Sequence, residues 1–324
     1  MGVGPVVATR VLTYLVPLRT GADDDISELA DYLADLRANV GEIIVVDGSD
    51  PCVFAQHRAR FHPEVVVMTP EYVTPNGKVG NVVTGLRHAR FENVVIADDD
   101  VRYRPAQLRQ LTERLAVADI VRPQNYFDVL PWHARFDTAR TLIARATGGD
   151  WPGTLAVRRS LALPGYAGDV LFENLELVRT ITARGGVEAV ALDLYVARRP
   201  PSTRHFVGQQ IRQAYDEFAR PVRLALALAV VPAIALSRRP ARTAAAIAAL
   251  SWAAAETGRR RAGGRRVFPA RTALAAPAWV AERAVCAWLA VGTRLARGGV
   301  PYGGAVMRRA ATPSRRLRQE RATS

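Results

Sequence analysis

Lysine is almost absent from these 324 residues: Lys78 is the only one among 44 basic side chains. Such one-sided arginine usage fits a GC-rich coding bias, so a lysine kept against that bias marks a place where an ammonium is wanted. Cysteine is nearly as scarce. Cys52 and Cys286 lie far apart and supply neither a disulfide framework nor a metal-binding pair, and a reducing compartment is the expectation. No positively charged start followed by an apolar core and a cleavage site precedes the first apolar run, so no signal peptide is expected. The alanine- and leucine-rich runs 224–237 and 243–255 are 14 and 13 residues long, short of the roughly 20 that span a bilayer. Acidic residues are scarce at one end of the chain. Residues 220–324 hold 20 Arg against 3 Glu, a net of +17, while residues 1–219 hold 24 basic and 27 acidic side chains, a net of −3, which together give the overall +14. The basic tail therefore calls for an anionic partner, nucleic acid or membrane headgroups.

The chain is organised around Asn93 to Tyr103, where the apolar run Val94 to Ala97 leads into Asp98, Asp99 and Asp100. A buried strand ending at a polar site has this pattern. If the extended geometry persists, Asp98 and Asp100 point the same way and Asp99 the other. Two like charges held together need a cation between them, and Mg²⁺ or Mn²⁺ carrying phosphates is the natural one. The alternative is an acidic lead into a helix beginning near Pro105. Strands are also expected at Val11 to Pro17, Glu42 to Val46, Val65 to Thr69, Asp119 to Pro123, Thr154 to Val157 and Val187 to Val196, with helical patterns between them. That alternation predicts an α/β, doubly wound, mostly parallel sheet flanked by helices. Ligands gather at the carboxyl ends of such strands, which places Pro17, Asp47 and Asp98 to Asp100 along one rim. Asp47 suits the polar edge of a nucleobase, or equally a turn or helix cap. Lys78, in a glycine-punctuated loop opening a helix, suits an anion.

The order VVDGSD, then GKVGNVVTGLRHA, then VVIADDDV resembles the nucleotide-sugar half of a family 2 glycosyltransferase with the GT-A fold, over about residues 11 to 104. The resemblance implies that Asp47 contacts the base, that Lys78 lies near the nucleotide, and that Asp98 and Asp100, at the place of the family's D-x-D motif, hold the metal on the diphosphate. Further on, the family has a Glu-Asp pair whose Asp is usually taken as the base. Here it reads Glu173-Asn174. Asparagine cannot take a proton, so the role moves to Glu173, with Asp169 and Glu176 behind it, or the inverting mechanism itself is in question. Gln209-Gln210-Ile211-Arg212-Gln213 is similar to the Q-Q-x-R-W motif of the membrane-bound relatives, ceramide glucosyltransferase and the cellulose and hyaluronan synthases, with Gln213 replacing the tryptophan. Gln209, Gln210 and Arg212 would then join the donor site, where a guanidinium matches a diphosphate.

Trp132, His133 and Trp151 are expected acceptor contacts, since rings pack on sugar CH faces and polar groups meet hydroxyls; an ordinary core is the alternative. The expected division is a GT-A domain over 1–219, a helical membrane-associating region over 220–310 and a basic, disordered tail over 311–324. Arginine-flanked apolar helices of this length suit the bilayer interface on anionic headgroups, or a soluble helical subdomain packed on the sheet. The resulting expectation is a metal-dependent transferase at the cytoplasmic face of the membrane. It moves a hexose from a nucleotide-diphosphate sugar, a UDP-sugar foremost, to a lipid or glycolipid acceptor. The competing readings are a nucleotidyltransferase on a similar sheet and a nucleic-acid-binding protein using the tail. The second is disfavoured by an acidic front domain and a tail without aromatic stacking platforms, so no nucleic-acid partner is expected.

Overall fold

A computed structural model describes residues 9–323. Strands β1 (Thr9–Leu18), β2 (Val40–Asp47), β3 (Val66–Met68), β4 (Asn93–Ala97), β5 (Val101–Arg102), β6 (Ile120–Phe127), β7 (Thr154–Arg158) and β8 (Glu188–Arg198) form one sheet in the order β3-β2-β1-β4-β7-β6-β8-β5. Between them run helices α1 (Ser27–Leu36), α2 (Pro51–Arg60), α3 (Gly77–His88), α4 (Pro105–Leu115), α5 (Trp132–Thr147), α6 (Arg159–Ala162) and α7 (Glu173–Ala183). After β8 come α8 (Thr203–Gly208), α9 (Gln210–Tyr215), α10 (Pro221–Ala235), α11 (Pro240–Arg260), α12 (Ala270–Ala273) and α13 (Ala276–Arg297). A hairpin of β9 (Val300–Tyr302) and β10 (Ala305–Met307) and a last helix α14 (Ser314–Thr323) close the chain.

The continuous apolar run of β1 reflects helices on both faces of the sheet. Leu12, Tyr14, Val16 and Leu18 pack with Leu29 and Leu33 of α1 and Leu108 and Leu111 of α4 on one side, while Leu15 meets Val82 and Leu86 of α3 and Ile181 of α7 on the other. The pairs β1–β2, β1–β4, β2–β3 and β6–β8 are parallel, but β7 runs antiparallel to both β4 and β6, and β5 antiparallel to β8. The sheet is thus mixed and parallel-dominated. The parallel half delivers the carboxyl ends of β1, β2 and β4 to one edge, as α/β crossovers require.

The tail is more closely joined to the sheet than an appendage would be. Arg145 of α5 is fully buried and donates to Gly258 O at 3.2 Å and Arg261 O at 2.9 Å, while Arg261 returns a bond to Arg145 O at 2.7 Å. Gly258 is needed at this crossing, because a Cβ there would stand 1.8 Å from Leu142 O. Gly258→Ala is expected to force α11 off α5 and to lower unfolding stability by about 1–3 kcal/mol despite alanine's better helix propensity, measurable by denaturant unfolding. Helix α10 behaves differently. It has no buried side chain and leans on α13, where Trp288 Nε1 donates to Leu228 O at 3.2 Å. The segment Ala270–Arg297 is long and apolar enough to cross a membrane by length and composition, and 39% of its apolar window is buried inside the protein. Residues 314–323 are helical where disorder is expected from composition. Arg321 donates to Ala183 O at 3.1 Å and so ties this helix to the end of α7.

Candidate active site

At the carboxyl edge of the parallel strands lies a cleft of about 540 Å³, lined by Pro17, Lys78, Asp98, Asp99, Asp100, Trp151, Glu173, Asn174, Gln209 and Arg212 among others. A depression of about 610 Å³ at the other end of β2 has its charged walls Arg90 and Glu42 paired with each other at 2.8 Å. The cleft, at the end of the sheet where α/β proteins gather ligands, is the candidate site.

The three aspartates do not continue as strand. Extended backbone stops at Ala97, and Val101 N bonds Asp98 O at 3.0 Å in a tight turn. All three side chains consequently line the cleft, including Asp99, which alternation along a strand would have turned away. Asp98 receives Lys78 Nζ at 2.5 Å, and the same ammonium reaches Glu173 Oε1 at 2.7 Å. Burial acts to lower the lysine pKa, but the charges of Asp98 and Glu173 outweigh it and hold Lys78 well above its ordinary range. Asp100 accepts from Arg198 Nε at 2.7 Å; burial and the Asp98 charge raise its pKa against the pull of Arg198. Asp99 is pushed up to about 6 by desolvation and by its two neighbours. Gly153 lets the β7 approach pass close, since a Cβ there would meet Asp98 Oδ2 at 2.6 Å.

Among the described residues, no three His, Cys, Asp or Glu side chains form a ready-made metal cluster. A divalent cation held by one or two carboxylates and substrate phosphates needs fewer protein ligands. Asp100 Oδ1 fits that role: it is buried and has no hydrogen-bond partner. Asp98 sits two residues away across the same turn. The residues present therefore fit a cation shared with a diphosphate.

Several expected site residues are placed elsewhere. Asp47 is fully buried, with its oxygens taken by His57 Nδ1 at 2.7 Å and Ser49 N at 2.9 Å. It braces the end of β2 and leaves no free oxygen for a base. Gln210 is turned into the protein, donating to Phe206 O at 2.8 Å and facing Arg283. Glu176 is buried and accepts from Thr312 N at 2.6 Å, and Asp169 is held by Arg309 at 2.5 Å outside the cleft. His133 is buried against Pro201 O at 2.8 Å, and Trp132 packs on Phe206 with centroids 5.8 Å apart. Neither reaches the cleft. Trp151 does, stacked beneath Arg122 at 4.1 Å and beside Phe172 at 5.3 Å. Asn174 donates to Pro152 O at 3.0 Å, which fixes its amide as a structural tie.

Arg198, Tyr302, Gly303 and Asp216 are among the cleft residues that carried no expectation from the sequence. Arg198 ends β8, and the Arg-Arg pair following an apolar strand was the available signal. Tyr302 comes from the hairpin and packs under Arg212 at 4.9 Å, with Gly303 beside it. Asp216, one turn beyond Arg212, has a buried Oδ1 without a partner and is pushed up to about 8 by burial, against the pull of Arg220. Folding therefore holds a proton on Asp216 that the unfolded chain releases near its ordinary value of 3.8. Stability is fully present below that value, falls as pH rises towards 8 and is flat above. Relative to Asp216→Asn, the native protein is expected to lose up to about 1.4 kcal/mol per pH unit over that window. Unfolding of both proteins across a pH series checks this.

Residues 43–137, or 95 of the 324, match the family described as Glycosyl transferase family 21. No curated protein matches the chain. Among solved structures, a mannosyltransferase from Pyrobaculum calidifontis, in complex with GDP-Man and Mn²⁺, is 20% identical, with 86% of this chain and 87% of that one covered and a TM-score of 0.51. Glucosyl-3-phosphoglycerate synthase from Mycobacterium tuberculosis, in complex with Mn²⁺, UDP and glucosyl-3-phosphoglycerate, is 20% identical over 61% of this chain and 75% of that one, with a TM-score of 0.43. The likeness to the mannosyltransferase establishes a GT-A-like fold. The match over residues 43–137, less than half of the chain, is to a family of glycosyltransferases.

Proposed function

We propose that the protein transfers a hexose from a nucleotide-diphosphate sugar, with UDP as the preferred carrier, to a lipid or glycolipid acceptor at the cytoplasmic face of the membrane. The observation that carries the reading is the cleft at the carboxyl end of the sheet that Asp98 and Asp100 share with Lys78 and Arg212. Asp98 and Asp100 would hold Mg²⁺ or Mn²⁺, which when bound neutralises charge on the diphosphate. Arg212, kept in place by Gln209 at 3.2 Å and by the Tyr302 ring, faces the leaving group with its guanidinium. Glu173, at the N-terminus of α7 where a carboxylate suits the helix dipole, would take the acceptor's proton in an inverting displacement. Trp151 offers its ring to the transferred sugar or to the acceptor.

The membrane part of the reading rests on α10 and its neighbours. Val222, Leu226, Leu250, Trp252 and Leu289 are exposed there, with Arg238 and Arg239 at the turn between α10 and α11. Apolar side chains flanked by arginines suit an anionic interface. The test is titration of UDP, with GDP as comparator, into the purified protein with and without Mn²⁺. Metal-dependent binding of UDP supports the reading, and absence of metal-dependent binding of both nucleotides removes it. Release of pyrophosphate from a sugar phosphate and UTP would instead identify a nucleotidyltransferase.

A further inference from the structure

Behind the cleft is a smaller cavity of about 150 Å³, separated from it by side chains common to both: Trp151, Phe172, Arg198, Gln213 and Asp216. The rest of its wall is Arg140, Asp150 and Glu217, together with Arg220, Arg223, Trp279 and Arg283 from the start of α10 and from α13. The charges around it are unequal. Arg140 is used up by Asp137 and Asp150 at 3.0 and 2.7 Å, and Arg198 by Asp100. Arg220 and Arg223 share one carboxylate, Glu217, at 2.8 and 3.6 Å. Arg283, 4% exposed, has the carbonyl and amide oxygens of Gln210 and Gln213 at 3.3 to 3.4 Å, and Glu282 no nearer than 3.7 Å. Three buried donors are left without any partner: Arg220 Nε, Arg283 Nε and Trp279 Nε1. Two acceptors on the same wall, Asp216 Oδ1 and Glu217 Oε2, are also without a partner, but Asp216 is pushed up to about 8 and keeps its proton. Five guanidiniums therefore face the carboxylates of Asp150 and Glu217, and the costly unpaired donors mark the place of a missing anion. Burial and the neighbouring Arg223 pull Arg220 down to about 10 despite Glu217, as expected of a cation short of counter-charge.

From this arrangement we infer that the cavity is the acceptor's headgroup subsite and takes a phosphate monoester, so that the acceptor of the proposed transferase is a phosphate-bearing molecule. The inference rests on the transferase reading for its role, but the binding it describes can be measured separately. A dianionic tetrahedral group offers several acceptor lone pairs to forked guanidinium donors, and no neutral hydroxyl could satisfy Arg220, Arg223 and Arg283 together. The side chains shared with the cleft would bring the headgroup next to the reacting centre. Arg223 lies in the first turn of α10, the helix with no buried side chain, so a hydrocarbon attached to the phosphate has an apolar surface to follow.

The experiment measures binding of three probes to the full chain: glycerol 3-phosphate, phosphatidylcholine vesicles carrying phosphatidic acid, and the same vesicles carrying phosphatidylglycerol, whose phosphate is a diester. Phosphatidic acid is expected to bind better than phosphatidylglycerol, and glycerol 3-phosphate to compete with it. Arg283→Gln and Arg223→Gln are each expected to weaken the monoester about tenfold or more, the loss of one charge-assisted bond, while leaving Mn²⁺-dependent UDP binding in place. Arg223 is only partly buried, so its variant keeps the test valid should the Arg283 variant misfold. Binding of glycerol 3-phosphate alone would identify a soluble phosphate ester as the source, and binding of phosphatidic acid alone a lipid. Equal binding of the two anionic vesicles, with no effect of Arg223→Gln and no glycerol 3-phosphate binding, overturns the subsite. Failure of UDP to bind the native protein overturns the transferase reading instead, whatever the phosphate probes do.

Discussion

Asp100→Asn is expected to abolish Mn²⁺-dependent UDP binding and to lower transfer at least about 1000-fold, since a bound metal contributes several kcal/mol of charge stabilisation and each 1.36 kcal/mol is tenfold in rate. The reason lies in the division of labour between the two oxygens of Asp100. One is held by Arg198 at 2.7 Å, and the other is buried without a partner. An asparagine still accepts from Arg198, so the fold around the turn survives, but the negative charge that a hard cation requires is gone. Asp98→Asn is expected to act in the same direction, with a further change: Lys78 keeps only Glu173 as an anionic partner. Chelation of the metal from the native protein should reproduce the loss for both binding and transfer. The measurement is calorimetric titration of UDP into native protein and both variants with Mn²⁺ present, alongside thermal unfolding to show that the variants are folded. UDP binding that is as strong in Asp100→Asn as in the native protein would remove Asp100 from the donor site.

Much of the architecture is legible in the sequence because strand and helix runs here are long and separated by clear turn residues. Val94 to Ala97 followed by three aspartates reads as a strand reaching a rim, and β4 ends there at Ala97. The order of strands is less legible, since the antiparallel insertion of β7 depends on which partners its apolar residues find across the whole sheet. Side-chain direction is the other limit. Glu173 and Glu176 look equivalent at a spacing of three, yet Glu173 opens α7 into the cleft while Glu176 is drawn inward to Thr312. Gln209 and Gln210 part company in the same way at the start of α9. Asp47 looks like a base contact until His57, ten residues along, is found against it. Tyr302 and Arg283 could not be assigned from sequence at all, because residues from the tail reach the cleft and its rear cavity only through packing of α13 and the hairpin against α9.

Glu173→Gln is expected to lower the rate of transfer by about 10²- to 10⁴-fold, the range of a lost general base, and to leave Mn²⁺-dependent UDP binding unchanged. The contrast with the aspartate variants separates proton removal from donor binding. Glutamine preserves the size of the side chain and can still accept from Lys78, so the 2.7 Å contact is weakened without being replaced by a clash. Position 174 supplies the discriminating control. The Asn174 amide donates to Pro152 O at 3.0 Å, and an aspartate there would set two acceptors against each other, so Asn174→Asp is expected not to rescue the Glu173→Gln enzyme. Asp169 is paired with Arg309 and does not line the cleft, so it is not placed to take over. Initial rates at saturating donor for Glu173→Gln, and for the same protein also carrying Asn174→Asp, decide the assignment. Recovery in the double variant would move the base to position 174. An unchanged rate in the single variant would remove Glu173 from that role and leave Asp99, which also lines the cleft, as the carboxylate to test next, since Asp216 keeps its proton up to about 8.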